Sequence, residues 1–155
     1  MAVKSLESIL ADHPFFKDMN PEYLKLITGC ARNERFEPGQ FIFRQGEKAD
    51  KFYILRHGAV ALEISGAERG VITVDTLGAG DILGWSWLVP PYLYHNDAHV
   101  ISMTRAISLD AKCLRKKCEA DHGLGYDLMK RFLPVFADRL KHTELQLLDI
   151  YGRKH

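Results

Sequence analysis

Glycine-centred turns at fairly even intervals, separated by short β-type runs, constrain this chain more than any other feature. From about Arg35 to Asp110 the turns read Glu37-Pro38-Gly39-Gln40, Gln45-Gly46-Glu47, His57-Gly58, Ser65-Gly66 and Gly78-Ala79-Gly80-Asp81. Between them lie Phe41–Phe43, Phe52–Leu55, Ala59–Ile64, Val71–Val74, Val100–Met103 and Ala106–Leu109, rich in β-branched and aromatic residues. Short strands at regular spacing with turn signals predict an antiparallel roll or barrel, and jelly-roll closure would hide most strand edges.

Helical patterns flank this segment. Leu6, Ile9 and Leu10, then Tyr23, Leu24 and Ile27, stand three and four apart, and Asn20-Pro21 reads as a cap followed by proline at the first helical position. After Asp110, one helix is expected over Ala111 to Ala120 and a long one past Gly123 to about Tyr151. In the latter, Met129, Leu133, Phe136, Leu140, Thr143, Leu147 and Ile150 alternate in spacings of four and three, a heptad seam that wants a partner. Pro134 is expected to bend or break the helix, so that the regular seam begins after it. The fold expected is mainly β with flanking helices: one domain over 1–155, with N-terminal helices over 1–30, the β-roll over 31–110 and C-terminal helices over 111–155.

A length of 155 residues with 46% hydrophobic content suits one well-buried core. Charge is balanced, 21 Lys and Arg against 20 Asp and Glu, so no global field draws nucleic acid or an anionic membrane. Cys30, Cys113 and Cys118 are an odd number at spacings that suggest no disulfide framework, and Met1 to Ser5 lacks an apolar signal core; a cytoplasmic, reduced protein is expected. No apolar run reaches the roughly 18 residues needed to span a bilayer.

The string from Phe36 to Val60, with Gly39, Gly46 and Gly58 at its turns, resembles the first half of the cyclic-nucleotide-binding domain of catabolite-activator and FNR-type regulators. Leu77 to Gly84 is similar to that family's approach to its phosphate-binding cassette, and the heptad helix to its dimerising C-helix. The resemblance covers about residues 5–151. It implies a β-roll, a small-molecule pocket and a homodimer built on the last helix.

The cassette departs from the family pattern. There the glycine is followed by a glutamate for the ribose hydroxyl, and an Arg-x-Ala-x-Val segment brings a guanidinium to the cyclic phosphate. Here Trp85 follows Gly84, Asn96-Asp97-Ala98-His99-Val100 stands at the arginine segment, and no Lys or Arg occurs from Gly70 to Thr104. A loop one or two residues longer would leave His95 in the arginine slot. Hydrogen bonds to charged groups contribute about 1.5–3 kcal/mol each, and about 1.4 kcal/mol is tenfold; losing both contacts weakens a cyclic nucleotide at least about a hundredfold, before repulsion from Asp97. Poor or absent binding of cAMP and cGMP is expected, unless an arginine from a partner subunit, Arg69 or Arg105 reaches the pocket.

The stretch from Gly84 to Tyr92 also resembles a subgroup of short bacterial cyclic-nucleotide-binding-like proteins with a Gly-Trp-Ser-Trp-Leu-x-Pro-Pro-Tyr cassette, in which arginines stand where this chain has Leu93 and His99. Candidate ligand-binding residues are Gly84, Trp85, Ser86, Trp87, Leu88, His95, Asn96, Asp97, Ala98 and Thr143. A short helix from Gly84 would offer free amides to an anion. The aromatics, with Tyr92 and Tyr94, either plug the pocket, which is favoured, or stack on a flat ligand or a protein partner. Thr143, polar on the seam, couples pocket to dimer or only sets register.

His95, Asp97 and His99 would share one strand face, with His57 elsewhere, yet nothing else supports a metal site; Cys113, Cys118 and His122 read as ordinary packing. Ser86 has no nameable base, so no enzyme is expected, and no cofactor. Family DNA binding comes from a helix-turn-helix after the long helix, for which Tyr151-Gly152-Arg153-Lys154-His155 leaves no room, so no direct DNA binding is expected. The function expected is a stand-alone regulatory or sensory module, with a cyclic-nucleotide receptor using a non-standard phosphate site and a structural adaptor subunit as alternatives.

Overall fold

The computed structural model describes residues 5–66, 68 and 70–152; the basic tail and Arg69 lie outside them. Helix α1 (Leu6–Asp12), a 3-10 turn (Pro14–Phe16) and α2 (Pro21–Thr28) precede six strands: β1 (Ala31–Phe36), β2 (Phe41–Phe43), β3 (Lys51–Gly66), β4 (Gly70–Gly78), β5 (Ile82–Leu83) and β6 (Asp97–Asp110). A second 3-10 turn, Trp85–Leu88, interrupts β5 and β6, and α3 (Ala111–Ala120) and α4 (His122–Gly152) complete the chain. The cap at Asn20 forms as expected, its Oδ1 accepting from Glu22 N at 2.9 Å.

Every strand pairing is antiparallel, in the order β1-β6-β3-β4, with β2 added to β6 and β5 to β3. The two long strands β3 and β6 form the spine of the roll. His57-Gly58, expected as a turn, lies inside β3, where the register with β6 shifts on either side of His57. Gly58 has φ +108, and a Cβ there would strike Thr104 Oγ1 and the Met103 carbonyl. A bulge between packed strands asks for glycine as strongly as a turn does. Likewise the last two expected runs merge into β6, and β1 was not among the expected strands at all.

The core is one cluster shared by helices and roll. Phe15, Phe52, Trp87 and Phe132 pack ring on ring at centroid distances of 4.9–5.7 Å, except Phe15 to Phe52 at 6.5 Å. Leu114 of α3 and Leu124, Leu128 and Phe132 of α4 are fully buried with them. Helix α4 continues through Pro134 without the break that was one of the two outcomes expected there. Pro134 is exposed, so the carbonyl that loses its amide partner can bond water.

The expectation of three reduced cysteines is overturned. Cys30 and Cys113 form a disulfide, with Cα atoms 5.7 Å apart and a sequence separation of 83. The β1–β6 register, Ala31 opposite Leu109, brings Cys30 beside Asp110, whose N–H donates to the Cys30 carbonyl at 2.9 Å. One turn further on, Cys113 faces Cys30. Cys118 keeps a free thiol, half-buried, and burial pushes its pKa up. No described helix is long and apolar enough to cross a membrane.

Candidate functional site

The cassette hangs between β5 and β6. Gly84, at φ +91, turns the chain out of β5, and Trp85–Leu88 make a single 3-10 turn rather than an α-helix. Two of the cassette's residues belong to the core: Trp87 is fully buried against Phe52 and Phe132, and Leu88 packs beside that cluster. Arg115 of α3 fastens this side, donating from Nη1 to the Trp87 carbonyl at 2.8 Å and lying 4.4 Å over the Tyr92 ring.

Trp85 and Ser86 face the other way. The Trp85 ring stacks on His95 at 4.7 Å and meets the edge of Phe136 from α4 at 5.2 Å. Ser86 Oγ and His95 Nδ1 share a hydrogen bond of 3.0 Å. Behind them Tyr94 lies flat on Phe43, 3.7 Å between centroids, and its hydroxyl donates to the Lys51 carbonyl at 2.6 Å. Burial pushes the Tyr94 pKa up to about 12. Between Gly84–Ser86, Tyr94–Asn96, Phe43, Leu62 and Arg139 these contacts leave a cavity of about 10 Å³. That is room for at most about one water.

Expected pocket residues beyond His95 divide. Asn96 lines the small cavity. Asp97 is buried but aims at the β2–β3 turn, accepting from Gln45 N at 2.7 Å and pairing with Arg44 at 3.4 Å, so it does not repel an anion in the cassette as expected. Ala98 is fully buried, paired with Phe43 and Leu62. His99 stacks on Phe41 and reaches Glu63 at 3.2 Å. His95, Asp97 and His99 therefore engage three different partners and do not converge on a common point. Ser86 has gained the histidine that sequence could not name, yet its hydroxyl is sealed, with no space beside it for a reacting carbonyl.

Sequence reasoning missed Arg139. From α4 its guanidinium donates to the Ile82 carbonyl at 2.8 Å, stands 3.9 Å from Asp75 and lines the cassette cavity. Burial pulls its pKa down, opposed first by Asp75 and then by Asp81 and Asp138; an arginine still keeps its charge. His142 approaches the same Asp75 carboxylate at 3.5 Å, and Gln146 donates to the Val74 carbonyl at 2.7 Å. Positions 139, 142 and 146 thus form a polar line that docks α4 onto β4. The only advance signal was that spacing, beside the apolar seam. Arg105, by contrast, is exposed on β6, opposite Arg35 and His57, and lines none of the cavities around the cassette.

Under α4 a wider cavity of about 380 Å³ opens, walled by Trp85, His95, Asn96, Arg139, His142 and Thr143 among others. Thr143 is exposed, and its hydroxyl donates to the Arg139 carbonyl of its own helix at 2.9 Å. Along the seam Met129, Leu133, Leu140, Leu147 and Ile150 are 49–63% exposed. Phe136 departs from the expected seam: it is half-buried on Trp85 and Phe132.

The model of the cyclic nucleotide-binding domain matches residues 33–121. The chain belongs to the cyclic nucleotide-binding domain family. It is 26% identical over 145 residues to the CRP-like cAMP-activated global transcriptional regulator of Mycobacterium tuberculosis, covering 94% of this chain and 63% of that one. This chain thus spans under two thirds of that regulator's length. Among solved structures it is similar to a protein from Geobacter metallireducens assigned as a cyclic nucleotide-binding protein, with TM-score 0.78, 30% identity, and coverage of 89% of this chain and 99% of that one. It is also similar to a cyclic nucleotide-binding-like protein from Brucella abortus, with TM-score 0.60, 29% identity, and coverage of 73% and 97%.

Proposed function

We propose that this member of the family is a regulatory module whose cassette is filled by its own side chains, so that it binds cAMP and cGMP poorly or not at all. The observation that carries this reading is the cavity of about 10 Å³ where Trp85, His95, Tyr94 and Phe43 meet. Two further points support it. By resemblance, Trp85 takes the place of the family's glutamate and Asn96, or His95 with a longer loop, that of its arginine, and Arg139 is already engaged by Ile82 and Asp75. The output of the module is the packing of α4, whose exposed Met129, Leu133, Leu140, Leu147 and Ile150 pair with a second copy of the chain.

A second reading keeps a nucleotide receptor with an unconventional phosphate site. It is favoured by Arg139 alone, which borders both the small cavity and the one of about 380 Å³, a size within the range of small-molecule sites. Calorimetric titration with cAMP and cGMP separates the two. Silence at millimolar ligand is expected; micromolar binding that disappears in Arg139→Met would overturn the first reading and establish the second.

A further inference from the structure

The Cys30–Cys113 disulfide is not enclosed. It borders a cavity of about 420 Å³, whose walls carry Arg32, Lys51, Ser108 and Asp110. Cys30 is 8% exposed, whereas Cys113 is half-buried, so Cys113 is the more exposed half of the bond. The acid on the wall, Asp110, caps α3, its Oδ1 accepting from Cys113 N at 2.8 Å, so its charge is turned towards the helix N-terminus. Lys51 stands 3.6 Å from Glu34, while Arg32 is exposed at the rim. Cations beside a disulfide attract an anionic thiol and stabilise the thiolate that leaves.

The bond also has a mechanical position. Three ties hold α3 to the end of α2: the disulfide, Asp110 N–H on the Cys30 carbonyl at 2.9 Å, and Lys117 Nζ on the Leu26 carbonyl at 2.5 Å. Two residues beyond Cys113 on the same helix, Arg115 grips the cassette through the Trp87 carbonyl and the Tyr92 ring.

We propose that the Cys30–Cys113 disulfide is an exchange site for an anionic low-molecular-weight thiol, and that opening it loosens the hold of Arg115 on the cassette. The thiolate of the small thiol attacks Cys113 Sγ; the S–S bond breaks and Cys30 leaves as a thiolate that takes a proton from solvent. A second thiol molecule attacks the small thiol's sulfur in the mixed disulfide and frees Cys113. One protein disulfide is reduced, and two small thiols are oxidised to one disulfide. Cys118 does not substitute for the external thiol, because burial keeps it protonated. This inference goes beyond the nucleotide reading and stands whether or not the cassette binds a nucleotide.

The test uses the full chain purified without reductant, treated in native buffer with reduced glutathione or with uncharged 2-mercaptoethanol, then alkylated and weighed. Both tryptophans lie in the cassette, so their emission reads that segment and the rings packed on it, Phe52, Phe132 and Phe136. Both thiols are expected to open the bond with the circular dichroism unchanged, and the emission to shift. Arg32→Gln combined with Lys51→Gln is expected to slow glutathione about tenfold and mercaptoethanol, whose only charge is that of its thiolate, clearly less. On the unaltered chain, added salt is expected to slow glutathione more than mercaptoethanol, which serves if that variant misfolds. In Arg115→Gln, oxidised and reduced emission are expected to coincide. Three free thiols at the outset, reaction only in denaturant, equal sensitivity of both reagents to charge, or emission indifferent to the bond would each overturn the proposal.

Discussion

Replacing Arg139 with methionine removes the charged contact between α4 and the roll while keeping much of the aliphatic stem. The guanidinium side chain is 20% exposed, so its interactions are not fully screened. What the variant loses first is a hydrogen bond from a charged donor to the Ile82 carbonyl at 2.8 Å, in a residue only 5% exposed. Such a bond contributes about 1.5–3 kcal/mol. The 3.9 Å approach to Asp75 adds less than about 1 kcal/mol, and relief from desolvating the guanidinium acts in the opposite direction. The net expectation is a loss of about 1.5–3 kcal/mol, which at this chain length lowers Tm by about 3–12 °C. Scanning calorimetry together with urea denaturation at constant m-value measures it. A Tm that holds or rises would mean that desolvation outweighs the contact, and that Arg139 does not dock α4. Repeating the substitution in Asp75→Asn completes a cycle whose coupling is expected to stay below about 1 kcal/mol.

His13 predicts a pH dependence. Its Nε2–H donates to the Leu55 carbonyl and its Nδ1 accepts from Phe15 N, both at 3.2 Å, and burial lowers its pKa below 6.5. The unfolded chain therefore binds a proton more readily, so the stability His13 contributes is whole above pH 6.5 and declines as pH falls from there towards the folded-state pKa, with a slope of at most about 1.4 kcal/mol per unit. Urea midpoints from pH 7.5 to 5 are expected to fall less steeply in His13→Gln; identical slopes would exclude His13 as the cause. For the seam, Leu133→Glu with Leu140→Glu places two charges on exposed apolar positions and is expected to give monomers by sedimentation with circular dichroism unchanged and a Tm that no longer depends on protein concentration; a dimer that survives would locate the contact elsewhere.

Local features were legible and long-range ones were not. Gly39, Gly46 and Gly80 sit at positive φ in the turns where spacing put them, and Asn20-Pro21 opens α2. β1 was invisible because Ala31-Arg32-Asn33-Glu34-Arg35-Phe36 is a polar edge strand without the apolar alternation that marks a half-buried one. Gly58 misled, since a bulge and a turn ask for the same residue. The disulfide depends on the β1–β6 register, and Arg139 on how α4 lies across β4; neither leaves a trace in the residues around the cassette. Local reasoning did place Trp85, Ser86, His95 and Asn96 around one cassette, where the structure brings them together.

The segment 84–96 is suspended between β5, which is held on Tyr53 and Ile54 of β3, and the start of β6, held on Leu62 and Glu63 of that same strand. Both of its attachment points are thus fixed by one continuous strand, independently of what the segment contains. The roll acts as a socket: segment 84–96 can be exchanged as a block without altering the residues that form the rungs of the β3–β6 ladder. A graft must keep Arg115 on one side and the underside of α4 on the other, refill the core space of Trp87, and cover Phe43 as Tyr94 does.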